Sequence, residues 1–130
     1  MAAQIAILAG GQSRRMGTDK SFVRLNEKPL LQHVIERVSA LQLPLVLIAN
    51  DPAKYADFGL PVITDVLPNA GSLGGIYTAV QHGDAEYTLC VACDMPFLNP
   101  ALLRHLLDQA TGVDAVVPFV DGTAHALHAV

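Results

Sequence analysis

The residues best suited to chemistry form a basic, glycine-rich run near the start of the chain, between positions 10 and 20. Gly10 and Gly11 carry no Cβ atom, so the backbone there can come close to a ligand. Arg14, Arg15 and Lys20 add positive charge, and both guanidinium and ammonium groups bind phosphates. Together these residue types predict a site for a phosphorylated ligand such as a nucleoside triphosphate.

The spacing of this run differs from that of two familiar phosphate-binding loops. A Walker A loop needs glycine, four residues and then Gly-Lys-Ser/Thr, but Arg15 or Met16 stands where its second glycine is required. A dinucleotide fingerprint needs Gly-x-Gly-x-x-Gly, which the residues from Ala9 onward do not provide. The Gly-Gly pair alone would indicate only a turn, yet clustered cations are unfavourable without an anionic ligand. A phosphate site of another type is therefore the favoured interpretation.

Short apolar runs alternate with helical patterns along the chain. Runs rich in Val, Ile and Leu predict buried strands at 5–8, 45–49, 88–93 and 115–119. Strands that alternate with helices predict an α/β fold in three layers, α/β/α, with a mostly parallel sheet covered on both faces. Residues 124–130 read as the first half of a further strand.

Helix signals lie between these strands. Pro29 opens one predicted helix, a short one covers 76–81, and Asn99 with Pro100 caps another. The apolar residues at helical spacing are expected to face the core: Leu30, Leu31, Val34, Ile35, Val38 and Leu41 in the first helix, and Leu102, Leu103, Leu106 and Leu107 in the last.

Composition and charge predict one packed domain over residues 1–130 whose partner is neither nucleic acid nor a membrane. The chain is 52% hydrophobic and 15% charged, with a formal net charge of −4. No apolar run reaches the roughly 18 residues that span a bilayer, and no signal peptide is found. With its two cysteines, the chain is expected in the reducing cytoplasm. Half of its eight Lys and Arg residues nevertheless lie close together: Arg14, Arg15, Lys20 and Arg24.

Polar residues follow three of the apolar segments, at positions where parallel strands would end. Asp94 follows the strand 88–93, and it could hold Mg²⁺, which commonly takes one or two carboxylates plus substrate phosphates. Asp65 and Asn50 end two further segments and could reach a bound ligand. On position alone, Asp94 and Asn50 fit a turn-closing role equally well, and for Asp65 a turn or solvated-loop role is favoured. A second glycine-rich loop at 71–76 would let backbone groups read the edge of a base.

The two cysteines invite a zinc or redox interpretation that their spacing disfavours. Cys90 and Cys93 are three residues apart, and such residues of a strand point to opposite faces. His125 and His128 are too far along the chain to complete a zinc finger. Buried structural cysteines are predicted.

Residues 8–20 resemble the signature of the molybdenum cofactor guanylyltransferases, the MobA-like nucleotidyltransferases. Each fixed position of the pattern Leu-Ala-Gly-Gly-x-Ser-x-Arg-Met-Gly-x-Asp-Lys is met. The related cytidylyltransferases usually carry Ala-Gly and Asn-Lys, so Gly10 and Asp19 favour guanine. The segment 93–97, Cys-Asp-Met-Pro-Phe, matches the metal-binding Asp motif of the family. The resemblance extends along nearly all of the chain.

This resemblance implies a Rossmann-like nucleotidyltransferase fold and an enzyme that transfers GMP from Mg-GTP to the terminal phosphate of molybdenum-molybdopterin. The products would be molybdopterin guanine dinucleotide and pyrophosphate, and molybdoenzyme-maturation proteins are further expected partners. Arg15, Lys20 and Asp94 would be catalytic, with Asp94 as the Mg²⁺ ligand. The implied GTP-binding residues are Leu8, Ala9, Gly10, Gly11, Lys20, Asn50, Asp65, Gly74 and Asp94.

The chain also departs from the family pattern. Family members usually have Pro where Ser72 and Ala126 stand, and they continue for several elements beyond position 130, so the domain is interpreted as C-terminally incomplete. The alternatives are a cytidylyltransferase, a sugar-phosphate nucleotidyltransferase, and a non-catalytic subunit that binds GTP or the cofactor. Zinc or redox binding ranks last.

Overall fold

Four parallel strands form the centre of the molecule, as seen in a computed structural model. It describes residues 3–9, 24–50, 52–64, 71–83, 85–93, 95, 98–120, 123–124 and 128–129. The strands are β1 (Ala3–Leu8), β2 (Arg24–Leu25), β3 (Lys28–Pro29), β4 (Leu45–Ala49), β5 (Val62–Thr64), β6 (Tyr87–Ala92), β7 (Phe119–Val120), β8 (Thr123–Ala124) and β9 (His128–Ala129). The helices are α1 (Leu30–Ser39), α2 (Gly71–Gln81), α3 (Pro100–Asp108) and a 3₁₀ helix (Pro52–Phe58).

The main sheet has the strand order β5-β4-β1-β6-β9, and its first four strands run parallel. β1 lies in the middle, with Ile5 opposite Leu45 of β4 and Leu89 of β6. The edge strand β9 pairs with β6 in the antiparallel direction. The mostly parallel α/β sheet expected from the sequence is confirmed, and β4 has the predicted bounds.

Alternate residues of the central strands face two separate layers of helices. Ile5 and Ile7 pack with α1 and α3 in the larger core, whereas Ala6 packs with α2 in the smaller one. The three-layer arrangement is therefore confirmed. The helical residues of the larger core include Leu31, Val34, Ile35, Val38, Leu103, Leu106 and Leu107, and the smaller core contains Val46, Ile48, Ala79 and Cys90.

The predicted start of α3 is confirmed. Asn99 is its N-cap, and the Asn99 side-chain oxygen accepts a hydrogen bond of 2.9 Å from the Ala101 N–H. The prediction that Leu102 points inward is wrong, since this side chain is 39% exposed. The buried face of α3 is formed by Leu103, Leu106 and Leu107.

The second helix begins earlier than predicted. Residues 71–75 form the first part of α2 and not a loop, because the helix extends from Gly71 to Gln81. Glycine weakens isolated helices by up to about 1 kcal/mol per residue, but tertiary packing can override that preference. Here Gly75 lies directly against Leu8, where an added Cβ would come within 3.3 Å of the leucine side chain.

The predicted strand at 115–119 is also wrong. Ala115 to Pro118 have no regular structure and are partly or fully exposed, and Phe119 belongs to the short hairpin of β7 with β8. Pro118 has no backbone N–H to donate to a neighbouring strand. In the segment 124–130, the described residues belong to two separate strands, β8 and β9, where one strand was expected.

Candidate functional site

The carboxyl ends of β5, β4, β1 and β6 lie side by side at one edge of the sheet. The Ala9 N–H donates to the Ile48 carbonyl at 2.9 Å, and the Cys93 N–H donates to the Leu8 carbonyl at 3.1 Å. These two bonds extend the pairing one residue past the ends of β1 and β6. The chain therefore enters the basic segment 10–23 from the middle of this edge.

β1 is also the strand at which the chain changes direction across the sheet. α1 leads to β4 on one side of β1, over the face of the larger core. α2 leads to β6 on the other side, over the opposite face. Open α/β sheets bind their ligands at such a point, just outside the carboxyl ends of the strands. The end of β1 is thus the candidate site.

Four of the predicted site residues are described by the structure. Leu8 is partly buried and Ala9 is buried at the end of β1, so their side chains offer little surface to a ligand. The Leu8 carbonyl and the Ala9 N–H are already bonded within the sheet. Asn50 directly follows β4 and is exposed, so its amide is accessible at the same edge. The other predicted residues lie outside the described parts of the chain: Gly10, Gly11, Arg15, Lys20, Asp65 and Asp94.

Gly74, the fourth described residue, is buried within α2 and does not belong to a loop. Its carbonyl accepts a hydrogen bond of 3.0 Å from the hydroxyl of Thr78. The N–H groups in the first turn of a helix have no partner within the helix. The predicted loop at 71–76 is therefore wrong, and the N–H groups left for a ligand are those that precede Gly74 at the start of the helix.

The basic segment ends in a hairpin that no sequence pattern predicted. Arg24 of β2 pairs with Pro29 of β3, and the turn between them is formed by Asn26 and Glu27 with φ angles of 53° and 68°. Two-residue turns with both φ angles positive suit hairpins, and Asn-Gly is their usual sequence. Glu27 occupies the position where glycine is usual, so the sequence lacks the Asn-Gly pair that would have predicted a hairpin.

Helix α1 holds this hairpin through two side chains. The His33 Nε2 atom lies 2.5 Å from the Leu25 carbonyl oxygen, and the Lys28 ammonium lies 2.9 Å from the Glu36 carboxylate. The hydrogen bond from Lys28 lowers the pKa of Glu36 below its usual value. Both partners of this ion pair are about half exposed, so solvent screens it.

The cysteines have the arrangement predicted for structural residues. Cys90 is buried in the smaller core and Cys93 in the larger one, on opposite faces of the sheet. Burial raises the pKa of the Cys90 thiol to about 11, which keeps it protonated and unreactive. Within the described parts of the chain, no three His, Cys, Asp or Glu residues come close enough together to hold a metal ion.

Comparison with known proteins identifies the family. The MobA-like NTP transferase domain matches residues 5–130. This chain belongs to that family. A molybdenum cofactor guanylyltransferase of Shewanella pealeana is 41% identical over 120 residues, which cover 88% of this chain and 60% of that protein. A Clostridium perfringens protein named "Probable molybdenum cofactor guanylyltransferase" is 36% identical over 114 residues, covering 87% of this chain and 57% of that protein.

A solved structure supports the same family. Molybdopterin-guanine dinucleotide biosynthesis protein A from Archaeoglobus fulgidus matches with a TM-score of 0.78 and 32% identity, over 97% of this chain and 65% of that one. The expected nucleotidyltransferase fold is therefore confirmed. The chain spans less than two thirds of the length of these MobA-like relatives. Among the described helices, none combines the length and apolarity needed to cross a membrane.

Proposed function

We propose that this MobA-like domain transfers GMP from GTP to the terminal phosphate of molybdenum-molybdopterin. An oxygen of the acceptor phosphate forms a bond to the α-phosphorus of GTP, and the bond from that phosphorus to the departing pyrophosphate breaks. The products are molybdopterin guanine dinucleotide and pyrophosphate. The 41% identity to the guanylyltransferase of S. pealeana over 88% of the chain is the observation that carries this proposal.

Phosphate chemistry limits what the protein has to supply. The acceptor phosphate is already anionic, so no residue needs to remove a proton from it. Catalysis then consists of aligning the phosphates and stabilising the charge on the leaving pyrophosphate. Arg15 and Lys20 are proposed for that charge, Arg15 as a forked donor and Lys20 as a point charge. Their position in the segment that follows β1, at the switch point of the sheet, supports this assignment.

The nucleotide itself is proposed to bind across the ends of β1, β4 and β5. The backbone of residues 8–11 would contact its phosphates and sugar. Asn50, Asp65 and the backbone at the start of α2, which includes Gly74, would contact its base and ribose. The exposure of Asn50 supports its role, and the N–H groups at the very start of α2, which have no partner within the helix, support the role of the helix start.

Mg²⁺ is the proposed metal, and Asp94 is its proposed protein ligand. Asp94 directly follows Cys93 in the sequence, and the Cys93 N–H bonds to the carbonyl of Leu8 at the carboxyl edge of the sheet, which supports this role. An oxygen donor suits Mg²⁺, which keeps several waters and takes substrate phosphates as further ligands. When bound, the ion would neutralise charge on the phosphates.

The proposed partners are therefore GTP and molybdopterin, and molybdoenzyme-maturation proteins would receive the product. The proposed compartment is the cytoplasm, where the thiols of Cys90 and Cys93 would stay reduced.

The test is to incubate the protein and Mg²⁺ with molybdenum-molybdopterin and each of GTP, CTP, ATP and UTP, and to follow pyrophosphate release. We expect release with GTP. Release with CTP alone would indicate a cytidylyltransferase, and release that requires a sugar phosphate as acceptor would indicate a sugar-phosphate nucleotidyltransferase. GTP binding without pyrophosphate release would contradict catalysis and indicate a non-catalytic binding subunit.

A further inference from the structure

The basic segment 10–23 is attached at its two ends by different means. At its start, the Ala9 N–H is bonded to the Ile48 carbonyl within the main sheet. At its end, β2 and β3 pair with each other and, among the described residues, with no further strand. An isolated two-stranded hairpin is marginally stable in water, so its position depends on what it packs against. In this protein that neighbour is α1, which directly follows β3.

His33 connects β2, the strand that directly follows the basic segment, to this helix. Its Nε2 atom lies 2.5 Å from the Leu25 carbonyl oxygen, and the contact is partly buried. A carbonyl oxygen can only accept, so Nε2 carries the proton and donates. The next residue, Val34, is fully buried in the larger core, and Leu31 is as well. The imidazole is therefore attached to a helix that the core holds in place.

We propose that His33 is a positioning residue, which fixes the exit of the segment that carries Arg15 and Lys20. The proposal rests on the proposed function for the role of those two cations. If Leu25 were released from His33, the end of the segment would reach more positions. Stabilisation of a leaving group requires charges that are already aligned, so the additional freedom would slow the reaction. His33 acts through Leu25 and does not contact the substrate.

The kinetic test compares two substitutions at this position. His33→Leu removes the donor, and we expect kcat per folded molecule for GTP-dependent pyrophosphate release to fall by about five- to tenfold, the loss from one hydrogen bond. The KM for GTP should change less than kcat. His33→Gln should restore most of the rate, because its amide nitrogen can donate from a similar distance along the side chain. Ser39→Ala is the matched control, since it removes a bond of 2.6 Å from the Ser39 hydroxyl to the Ile35 carbonyl on the same helix.

Amide hydrogen exchange without nucleotide separates this inference from the proposed function. We expect His33→Leu to speed exchange across residues 10–29 while β4 and β6 keep their protection, and His33→Gln to reverse the change. If the protein shows this exchange pattern but no nucleotidyl transfer, the proposed function is overturned while His33 is still supported as a positioning residue. Unchanged exchange in 10–29, a Gln variant as impaired as the Leu variant, or an equal loss in Ser39→Ala would overturn the inference.

Discussion

β1 meets polar groups at both of its ends, but the two ends use them differently. At the amino end, the buried amide of Gln4 donates to the carbonyls of Ala79 and His82 at 3.2 and 3.1 Å and to the hydroxyl of Thr88 at 3.1 Å. At the carboxyl end, Asn50 is exposed beside the start of the basic segment. The polar groups at the amino end are therefore bonded inside the protein, whereas the side chain of Asn50 at the carboxyl end is exposed.

This difference between the two ends indicates that the amino end stabilises the fold and that the carboxyl end serves the candidate site. At the amino end the amide nitrogen of Gln4 donates within the fold, where it joins the end of α2 to β1 and β6. A buried network with its partners satisfied makes a structure rigid. At the carboxyl end Asn50 is exposed, and the sequence that follows β1 and β6 has residue types that bind phosphates and metal. We therefore expect substitutions at the carboxyl end to change activity more than stability, and the reverse at the amino end.

The largest effect is expected from Asp94→Asn at the carboxyl end. The substitution keeps the size of the side chain but removes the charge proposed to hold Mg²⁺, so pyrophosphate release should fall by about 100-fold or more. Parallel measurements of kcat/KM and of the melting temperature check this. Normal turnover would show that Asp94 only closes a turn. A large fall in melting temperature would contradict the expectation that substitutions at the carboxyl end change activity more than stability.

Lys20→Ala and Arg15→Lys should have the next largest effects. Charge-assisted hydrogen bonds are worth about 1.5–3 kcal/mol each, which corresponds to a loss of rate of roughly 10- to 150-fold. If these cations stabilise the leaving pyrophosphate, kcat should fall more than the affinity for GTP. Arg15→Lys should be impaired because an ammonium group cannot form the forked contact. Steady-state kinetics decide: an effect confined to KM would assign both residues to ground-state binding.

At the amino end, Gln4→Leu should reduce stability. It removes the donor to the His82 carbonyl and the Thr88 hydroxyl, while the Ala79 carbonyl keeps its bond of 3.3 Å from the His82 N–H. An unsatisfied buried polar group costs about 1–3 kcal/mol. Chemical denaturation should show this loss in the free energy of unfolding, while activity per folded molecule stays near the wild-type value. Thr88→Val is the matched control and should cost less, since Gln4 keeps its two carbonyl partners. Equal losses of activity and stability would contradict the separation of the two ends.

The parts of the fold that the sequence predicted well are those with a strong local signal. β1, β4 and β6 are continuous apolar runs, and the Asn99-Pro100 pair marks the start of α3. Gly71 to Gly75 gave the opposite signal, because their low helix propensity says nothing of the close packing between Gly75 and Leu8. Helix α2 is stabilised by a tertiary contact, which a single sequence does not display.

The candidate site likewise has one part that the sequence predicted and one part that it did not. The signature at 8–20 predicted the end of β1 as the site, because the residues that define it are consecutive in the chain. The bond between His33 and Leu25 could not be predicted, since it joins side chain and backbone across a turn in which Glu27 replaces the expected glycine.

Glu27→Gly should be a smaller, stabilising change in the hairpin that follows the basic segment. Glu27 has a φ of 68°, which strains a residue that carries a Cβ by roughly 1–2 kcal/mol. Glycine removes that strain but loses more entropy on folding, so a net gain of about 0.5–1 kcal/mol is expected in the free energy of unfolding. Glu86→Gly is the control, an exposed residue without a positive φ, and it should destabilise. A loss of stability in Glu27→Gly would show that the turn adopts another conformation in solution.

The smallest effect is expected at the ion pair that joins the hairpin to α1. Lys28→Met should raise the pKa of Glu36 toward its ordinary value of 4.5, as followed by NMR titration of the carboxyl group, whereas Lys28→Arg should keep it low. Because the pKa of Glu36 is lower in the folded protein, the pair contributes stability above the ordinary pKa and loses it as the pH falls through the lowered value. Salt near 1 M, with a Debye length of about 3 Å, should weaken the difference between the variants. An unchanged Glu36 pKa in Lys28→Met would mean that the pair does not form in solution, and that the hairpin depends on His33 for its attachment to the helix.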